Sequence, residues 1–209
     1  MNQFTELSCT DFAEALASRT PFPGGGGAAA MAGALGVALC SMAANFTSGK
    51  PKYASVEADV QRILSECETL RVRLMELVDE DARSFEPLSK AYTIPREDPS
   101  RKQISEEATQ NACRAPLEMI RCCCRALLLL EEMLEKGSRL LLTDVGCGAL
   151  LCKSAMECAA LSVFVNTAGL TDRESAAKME QQVEDALGTY LPLADRIAAS
   201  VTAYIRKEE

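Results

Sequence analysis

The residue whose type and position most suggest chemistry is an aspartate, Asp81, inside a stripe of leucines. Apolar residues recur there at helical spacings of three and four, which places them on one face: Leu70, Leu74, Leu77, Phe85 and Leu88. Asp81 occupies the position at which this pattern requires another leucine. An unpaired carboxylate is costly to bury, so such a residue is normally paired, protonated or functional. We interpret Asp81 as a candidate catalytic residue; the alternatives are an edge position or a cap to a neighbouring helix.

The acids around Asp81 have a different pattern. They lie off the leucine line, and we expect them to be solvated surface residues: Glu76, Asp79, Glu80 and Glu86. Because the chain contains no histidine, acid–base catalysis must use a carboxylate, Lys, Tyr, Cys or the substrate itself. A carboxylate that exchanges protons near neutral pH needs a raised pKa, and an apolar setting provides one.

A second candidate site is the glycine run that follows Pro23, namely Gly24, Gly25, Gly26 and Gly27, at the start of a predicted helix. Glycines at a helix N-terminus let backbone N–H groups approach a ligand, and the helix dipole favours an anion there. The run lacks the Lys-Ser/Thr of a Walker loop, and no strand precedes it as a dinucleotide fingerprint requires. A flexible turn and a ligand cradle therefore stay open as alternatives.

A third candidate is the segment Gly49-Lys50-Pro51-Lys52-Tyr53, which follows the helix that the glycines begin. Two lysines and a tyrosine in an acidic protein could receive a carboxylate-bearing ligand. Lysines are also favoured near a helix C-terminus by the dipole alone.

Three further polar residues, Asn45, Asp144 and Asn166, lie in small and apolar helical surroundings. Each is either a ligand contact or a hydrogen-bond partner of a neighbouring helix. Asp144 could equally belong to the first turn of its own helix, after Thr143.

The elements that must position these residues are all helical. Periodicity and capping signals predict helices over residues 10–18, 28–48, 53–91, 101–136, 143–166 and 172–207. Pro116 is expected to bend or break the fourth, Gly137 to end it, and Pro192 to follow an irregularity in the last. No alternating apolar and polar run suggests a strand. We predict an all-α bundle of about five to seven helices, some long and kinked at proline, in one domain over residues 1–209.

Composition excludes several classes of protein. A net charge of −8, without a basic stripe, argues against nucleic-acid binding. The uncharged stretch at 28–48 is rich in small residues, so we interpret it as a buried central helix and not a membrane span. Small residues there would let another helix approach closely, within the subunit or across a dimer. Without histidine or a CxxC pair no metal site is predicted, and the ten cysteines are expected to be free, mostly buried thiols of a cytoplasmic protein.

These pieces together resemble the cyclodeaminase/cyclohydrolase family of tetrahydrofolate enzymes over nearly the whole chain. The resemblance rests on the order and spacing of PFPGGGG, MAGALGVAL, MAANFT, GKPKY, VDEDARSF, EAT, APLEM, TDVG and the Asn166 region. It implies an all-α homodimer and a catalytic Asp81. It also implies substrate contacts from Pro23, Gly24, Gly25, Gly26, Asn45, Lys50, Lys52, Tyr53, Phe85, Asp144 and Asn166. Gly27 departs from the family pattern, which commonly has serine there.

The resemblance implies two reactions at one site. The first choice is a formiminotetrahydrofolate cyclodeaminase, which forms methenyltetrahydrofolate and ammonia. The alternative is a methenyltetrahydrofolate cyclohydrolase, which gives 10-formyltetrahydrofolate. Both use a folate, including polyglutamylated forms, as substrate and need no other cofactor. A third hypothesis is a non-catalytic helical scaffold or folate-binding protein, which predicts a salt-bridged Asp81 without a cavity beside it.

Overall fold

The computed structural model describes residues 3–95 and 97–207, and this part of the chain folds into seven α-helices without a β-strand. The helices are α1 (Cys9–Ala17), α2 (Gly25–Asn45), α3 (Glu57–Ala91), α4 (Arg101–Ala112), α5 (Arg114–Lys136), α6 (Leu142–Thr167) and α7 (Arg173–Arg206). Short 3-10 segments span Phe4–Glu6, Pro51–Val56 and Arg139–Leu141. The prediction of an all-α bundle is confirmed.

The helix boundaries follow from local chemistry, with one refinement at Pro116. The predicted helix 101–136 is divided into α4 and α5 at Cys113. Because proline has no N–H to donate to the carbonyl four residues earlier, hydrogen bonding along α4 ends at Ala112, and Pro116 lies in the first turn of α5. Gly137 ends α5 as expected, whereas α7 continues through Pro192 without interruption.

The centre of the bundle is the antiparallel pair α2 and α6, which packs against α3, α5 and α7. Glycines bring the two helices close together. A Cβ on Gly36 would lie 2.6 Å from Cys152 Sγ and 2.9 Å from the Gly148 carbonyl oxygen, closer than side-chain carbons approach such atoms. Further along, Gly33 faces Ala155. This close packing fixes the N-terminus of α2 beside the C-terminal half of α6.

We expect Gly36→Ala to lower the free energy of unfolding by about 1–3 kcal/mol, because the added methyl group overpacks the contact between α2 and α6. Urea denaturation measures this change. The matched control is Gly188→Ala in α7, where a Cβ would meet nothing within 4 Å; it should be neutral or stabilising by up to about 1 kcal/mol through helix propensity. Equal stability of the two variants would contradict the close approach.

Two segments are apolar and long enough to cross a membrane by composition, Gly25–Asn45 and Arg139–Thr167, with mean hydropathies of 1.7 and 1.5. About half of each is buried inside the bundle, 56% and 44%. The core helix of a water-soluble protein has the same properties, and the packing of α2 agrees with its interpretation as a buried central helix.

All ten cysteines are free and seven are buried, as expected. The consecutive Cys122, Cys123 and Cys124 are all among the buried ones.

Candidate active site

Helix α3 carries Asp81 to the N-terminus of α2. The apolar stripe forms the buried face of α3, where Leu74 and Leu77 are fully buried and Leu88 nearly so. Asp81 continues this face and is itself largely buried, with its carboxyl group directed at the first turn of α2. Among the described residues no cation forms an ion pair with it. A carboxylate in this position is therefore neither a surface residue nor half of a salt bridge.

Burial raises the pKa of the Asp81 carboxyl from its ordinary 3.8 to about 6, and a hydrogen bond from the Gly27 backbone amide partly offsets the rise. Gly25, Gly26 and Gly27 are the first three residues of α2, so their N–H groups have no partner within the helix. These donors and the helix dipole favour the ionised form. The result is a carboxyl group that can both accept and release a proton near neutral pH.

Gly26 is required by the position of Asp81. A Cβ at this residue would lie 2.5 Å from Asp81 Cγ and closer still to both carboxyl oxygens, so a side chain and the carboxylate cannot share the space. Gly27 differs, since a Cβ there would meet nothing closer than the Val78 carbonyl oxygen at 3.6 Å. A Cβ at position 27 would therefore make only ordinary van der Waals contacts, so the space around Gly27 does not require glycine.

A cavity of about 170 Å³ adjoins the Asp81 carboxyl group. Five of the predicted substrate contacts line it, namely Gly24, Gly25, Gly26, Phe85 and Asn166, and Pro23 is buried immediately before them. Phe85 packs edge-on against Phe22 with ring centroids 6.3 Å apart, and both rings belong to the wall. The glycine run thus contributes to a cavity wall as well as to a turn.

Asn166 is buried on α6 and contacts the thiol of Cys113 at the junction of α4 and α5. Burial raises the pKa of Cys113 to about 11, so this thiol remains protonated near neutral pH. One turn before Asn166, Ser162 also lines the cavity. Sequence reasoning missed Ser162, although its spacing of four residues from Asn166 places both on one face of α6.

The expectation that Asp79 is a solvated surface residue is wrong. Its side chain is only 6% exposed, and it accepts hydrogen bonds from the Phe4 backbone N–H at 2.7 Å and from Thr5 Oγ1 at 2.9 Å. The N-terminal 3-10 turn folds across α3 and covers it. Helix periodicity could not reveal this contact, because its partner lies 75 residues away in the chain.

The other predicted site residues lie at the opposite end of α2. These are Asn45, Lys50, Lys52, Tyr53 and Asp144, of which Asp144 lies in the first turn of α6. Since α2 rises about 1.5 Å per residue over its twenty-one residues, this end is about 30 Å from Gly25. Within one chain the structure does not bring these five residues to Asp81. Their roles in binding stay predictions.

This distal end is rich in exposed cations and aromatic rings. Lys50 Nζ lies 5.8 Å from the ring centroid of Phe46, and Lys52 Nζ lies 5.5 Å from that of Tyr53. Hydrogen bonding to Ser138 lowers the pKa of the Tyr53 hydroxyl. Arg139 stacks 5.8 Å from Tyr204. In the described part of the chain none of Lys50, Lys52 and Arg139 forms an ion pair. We call these three residues and the rings beside them the distal basic cluster.

The arrangement around Asp81 is suited to proton transfer in a confined, mostly apolar space. One carboxyl group with a pKa near neutrality, free backbone donors and the amide of Asn166 surround the cavity. In residues 3–95 and 97–207 no group of three His, Cys, Asp or Glu side chains is placed to hold a metal ion.

Comparison with known proteins finds relatives of one kind, cyclodeaminases and a methenyltetrahydrofolate cyclohydrolase. The sequence matches the formiminotransferase-cyclodeaminase family over residues 8–185. It is 37% identical over 198 residues to the methenyltetrahydrofolate cyclohydrolase of Methylorubrum extorquens, covering 93% of this chain and 95% of the relative. It is 28% identical over 180 residues to the formimidoyltransferase-cyclodeaminase of Sus scrofa, covering 84% of this chain but only 33% of that longer protein. The fold superposes with a TM-score of 0.89 on the crystal structure of formiminotetrahydrofolate cyclodeaminase from Thermotoga maritima, at 28% identity, 96% coverage of this chain and 98% of that one.

Proposed function

Because this chain belongs to the formiminotransferase-cyclodeaminase family, we propose that it is a tetrahydrofolate one-carbon enzyme, a formiminotetrahydrofolate cyclodeaminase. The observation that carries the proposal is the largely buried Asp81 carboxyl, whose pKa of about 6 suits proton exchange in the cavity at the N-terminus of α2. The scaffold hypothesis predicted a salt-bridged Asp81 without a cavity, and neither feature matches the described structure.

In the proposed reaction N10 of the folate attacks the formimino carbon on N5 and forms a tetrahedral carbon between the two nitrogens. Asp81 takes the proton from N10 and returns one to the departing amino group. The attack closes the ring, and because the formimino nitrogen enters the reaction protonated, this second proton lets it leave as ammonia with the electron pair of its C–N bond. The product is the cationic methenyltetrahydrofolate. The carboxylate also faces the cationic carbon that develops, which stabilises it electrostatically. Acid–base catalysis of this kind is worth about 10²–10⁴-fold in rate.

The second candidate is a methenyltetrahydrofolate cyclohydrolase, favoured by the 37% identity to the cyclohydrolase of Methylorubrum extorquens over almost its whole length. In this reaction water attacks the methenyl carbon and the ring opens to 10-formyltetrahydrofolate. Asp81 would take the proton from water and return it to the leaving nitrogen, so the same cavity serves both reactions.

One spectrophotometric assay distinguishes the two reactions through the absorbance of methenyltetrahydrofolate. Its formation from formiminotetrahydrofolate, with release of ammonia, supports the cyclodeaminase. Its consumption faster than spontaneous hydrolysis supports the cyclohydrolase. If neither occurs, and no folate derivative raises the melting temperature of the protein, the proposed function is wrong.

We expect kcat/KM to rise about tenfold per pH unit below pH 6 and to level off above it, because only the ionised Asp81 of the free enzyme can accept a proton. Steady-state rates between pH 4.5 and 8, corrected for the spontaneous reaction, measure this profile. A kcat/KM that stays flat from pH 5 to 7 would contradict a catalytic carboxylate with this pKa.

The proposal also covers how the glutamate tail of the substrate is bound and in which compartment the enzyme acts. Lys50 and Lys52 are proposed to bind the glutamate carboxylates of folate, including polyglutamylated forms, as charge-assisted partners. The folate is the only small molecule required, without a further cofactor or metal. The free thiols are consistent with a cytoplasmic enzyme.

We also propose that the enzyme is a homodimer. The support is the outer face of the α2–α6 pair, which turns large apolar side chains to solvent, including Leu35, Leu150, Leu161 and Val165. Large apolar side chains exposed together on one face commonly mark an interface.

A further inference from the structure

Among the described residues that line the cavity, three have polar side chains: Asp81 of α3, and Ser162 and Asn166 of α6. Ser162 also borders a wider groove of about 580 Å³ outside the cavity, whereas Asn166 does not. Asn166 is only 9% exposed. Its amide group therefore belongs to the inner part of the cavity, away from the groove, and the reaction described above assigns it no task.

The backbone of Asn166 is fixed by the turn that ends α6. The Gly169 N–H donates to the Asn166 carbonyl oxygen at 3.0 Å, and Arg173 Nη1 donates to the Thr167 carbonyl oxygen at 2.7 Å. Thr167 itself is fully buried. Because these bonds use the backbone of the turn, the fold sets the position of Asn166, and only the orientation of its amide group remains to be determined.

That orientation depends on Cys113, the residue between α4 and α5. Cys113 is fully buried, and the residue before it, Ala112, lines the cavity. Burial raises the pKa of the Cys113 thiol to about 11, and a hydrogen bond from the Asn166 side chain partly lowers it, as expected when an amide N–H group donates to sulfur. The Nδ2 group of Asn166 therefore faces Cys113.

The other end of the same amide, Oδ1, has no hydrogen-bond partner among the described residues. In that part of the chain every fully enclosed side-chain oxygen or nitrogen has a partner. Oδ1 is therefore not fully enclosed, and the open space that Asn166 lines is the cavity beside Asp81. An amide oxygen in this position can accept a hydrogen bond from an N–H or O–H group of a ligand.

We propose that Asn166 Oδ1 binds the group that is exchanged at the reacting carbon of the substrate, and that Cys113 is the positioning residue that orients this amide. The inference rests on the proposed function. In the cyclodeaminase reaction the exchanged group is the amino group that leaves, and in the cyclohydrolase reaction it is the attacking water. N5 and N10 hold two other positions of the tetrahedral carbon in both reactions, so the exchanged group occupies the same place in each.

Positive charge develops on the exchanged group in both reactions. The amino nitrogen receives a proton from Asp81 before its bond to carbon breaks, and the water oxygen becomes partly positive until Asp81 takes a proton from it. In each case one hydrogen is shared with the Asp81 carboxyl group, and a second is free to bond to Asn166 Oδ1. A carbonyl dipole that is already directed at this charge stabilises the transition state more than the ground state.

Asn166→Leu tests the contact, because leucine is of similar size but has no acceptor. We expect kcat of the reaction that the wild-type enzyme catalyses to fall about 10²-fold. KM should stay within about threefold, since the lost contact is made in the transition state. Asn166→Ala, which cannot overfill the cavity, should show the same loss, and circular dichroism verifies the fold of both variants. If both keep kcat within about threefold of the wild type, the assignment of Asn166 is wrong.

Cys113→Ala removes the group that orients the amide and should lower kcat about tenfold, again with little change in KM. Cys113→Ser should keep kcat within about threefold of the wild type, because its hydroxyl oxygen can accept the same N–H. The matched control is Cys124→Ala, which changes a buried cysteine of α5 outside the cavity wall and should leave both constants unchanged. Equal activities of Cys113→Ala and Cys113→Ser would overturn the orienting role of Cys113.

A double-mutant cycle separates this role from a contribution to packing alone. In the background of Asn166→Leu, Cys113→Ala should cost less than about twofold in kcat, because the amide that Cys113 orients is absent. A further tenfold loss there would show that Cys113 acts independently of Asn166. An inactive wild-type enzyme would refute the proposed function and this assignment with it, whereas an active wild type with unaffected variants would refute the assignment alone.

Discussion

Asp81→Asn is expected to lower turnover by about 10²–10⁴-fold, because the amide cannot exchange the proton between the attacking and leaving groups. The same substitution should stabilise the protein at neutral pH. Burial raises the pKa of Asp81 from 3.8 to about 6, so the native state holds the proton more tightly than the unfolded chain does. Stability contributed by this group is therefore lost as the pH rises from about 4 to about 6, and it stays lost above that range.

The size of this loss of stability follows from the shift in the pKa of Asp81. At about 1.4 kcal/mol per pKa unit, ionised Asp81 destabilises the native state by up to about 3 kcal/mol at pH 7. We expect Asp81→Asn to recover about 1–3 kcal/mol in urea denaturation at pH 7 and to gain nothing at pH 4. Loss of activity together with a gain in stability is typical of a residue kept for function.

Asp79→Asn is the matched control for this prediction, since it changes another buried acid of the same helix. The amide that replaces the carboxylate would accept only one of the two hydrogen bonds from Phe4 and Thr5, so stability should fall by about 1 kcal/mol. Turnover should stay near the wild-type value. If Asp81→Asn keeps its rate within tenfold, or if both variants lose activity alike, Asp81 has no special part in the reaction.

Gly26→Ala is the second substitution with a large expected effect. Its Cβ would lie 2.5 Å from Asp81 Cγ and closer still to the carboxyl oxygens, and the aspartate side chain must rotate away to avoid this overlap. We expect a loss of turnover of about 10²-fold or more with the helical fold retained, because the proton-transferring group leaves its position. Circular dichroism and steady-state rates measure the two properties separately.

A double-mutant cycle shows whether the effect of Gly26→Ala acts through Asp81. Added to Asp81→Asn, it should cost little further activity, since the group that it displaces is already inactive. Gly188→Ala, with open space around its Cβ, controls for adding a methyl group to a helical glycine and should leave turnover unchanged. Normal activity of Gly26→Ala would mean that the carboxylate is not needed at this position.

Local chemistry made much of this protein predictable from its sequence. The spacing of leucines predicted α3 and its buried face, and the same pattern identified Asp81 as the exception, because helical periodicity is a property of neighbouring turns. The glycine run predicted the start of α2, because the start of a helix also depends on residues that are neighbours in the sequence. The break before Pro116 also follows from local chemistry, because proline has no N–H. The break lies about one turn before the proline, since the missing hydrogen bond would have joined Pro116 to the carbonyl four residues earlier.

Only the tertiary structure decided what each of these residues meets. Asp79 and Asp81 are two acids in one motif, yet one anchors the N-terminal turn and the other faces a cavity, since their partners come from distant parts of the chain. The tertiary structure also separated Lys50 and Lys52 from Asp81 by the length of α2. The order of the sequence already places the lysines at the opposite end of α2 from the glycine run, but it does not show which end of α2 lies beside Asp81 of α3. Asp81 was therefore predictable as an anomaly, whereas its raised pKa, its need for Gly26 and the incomplete site around it depend on packing between helices.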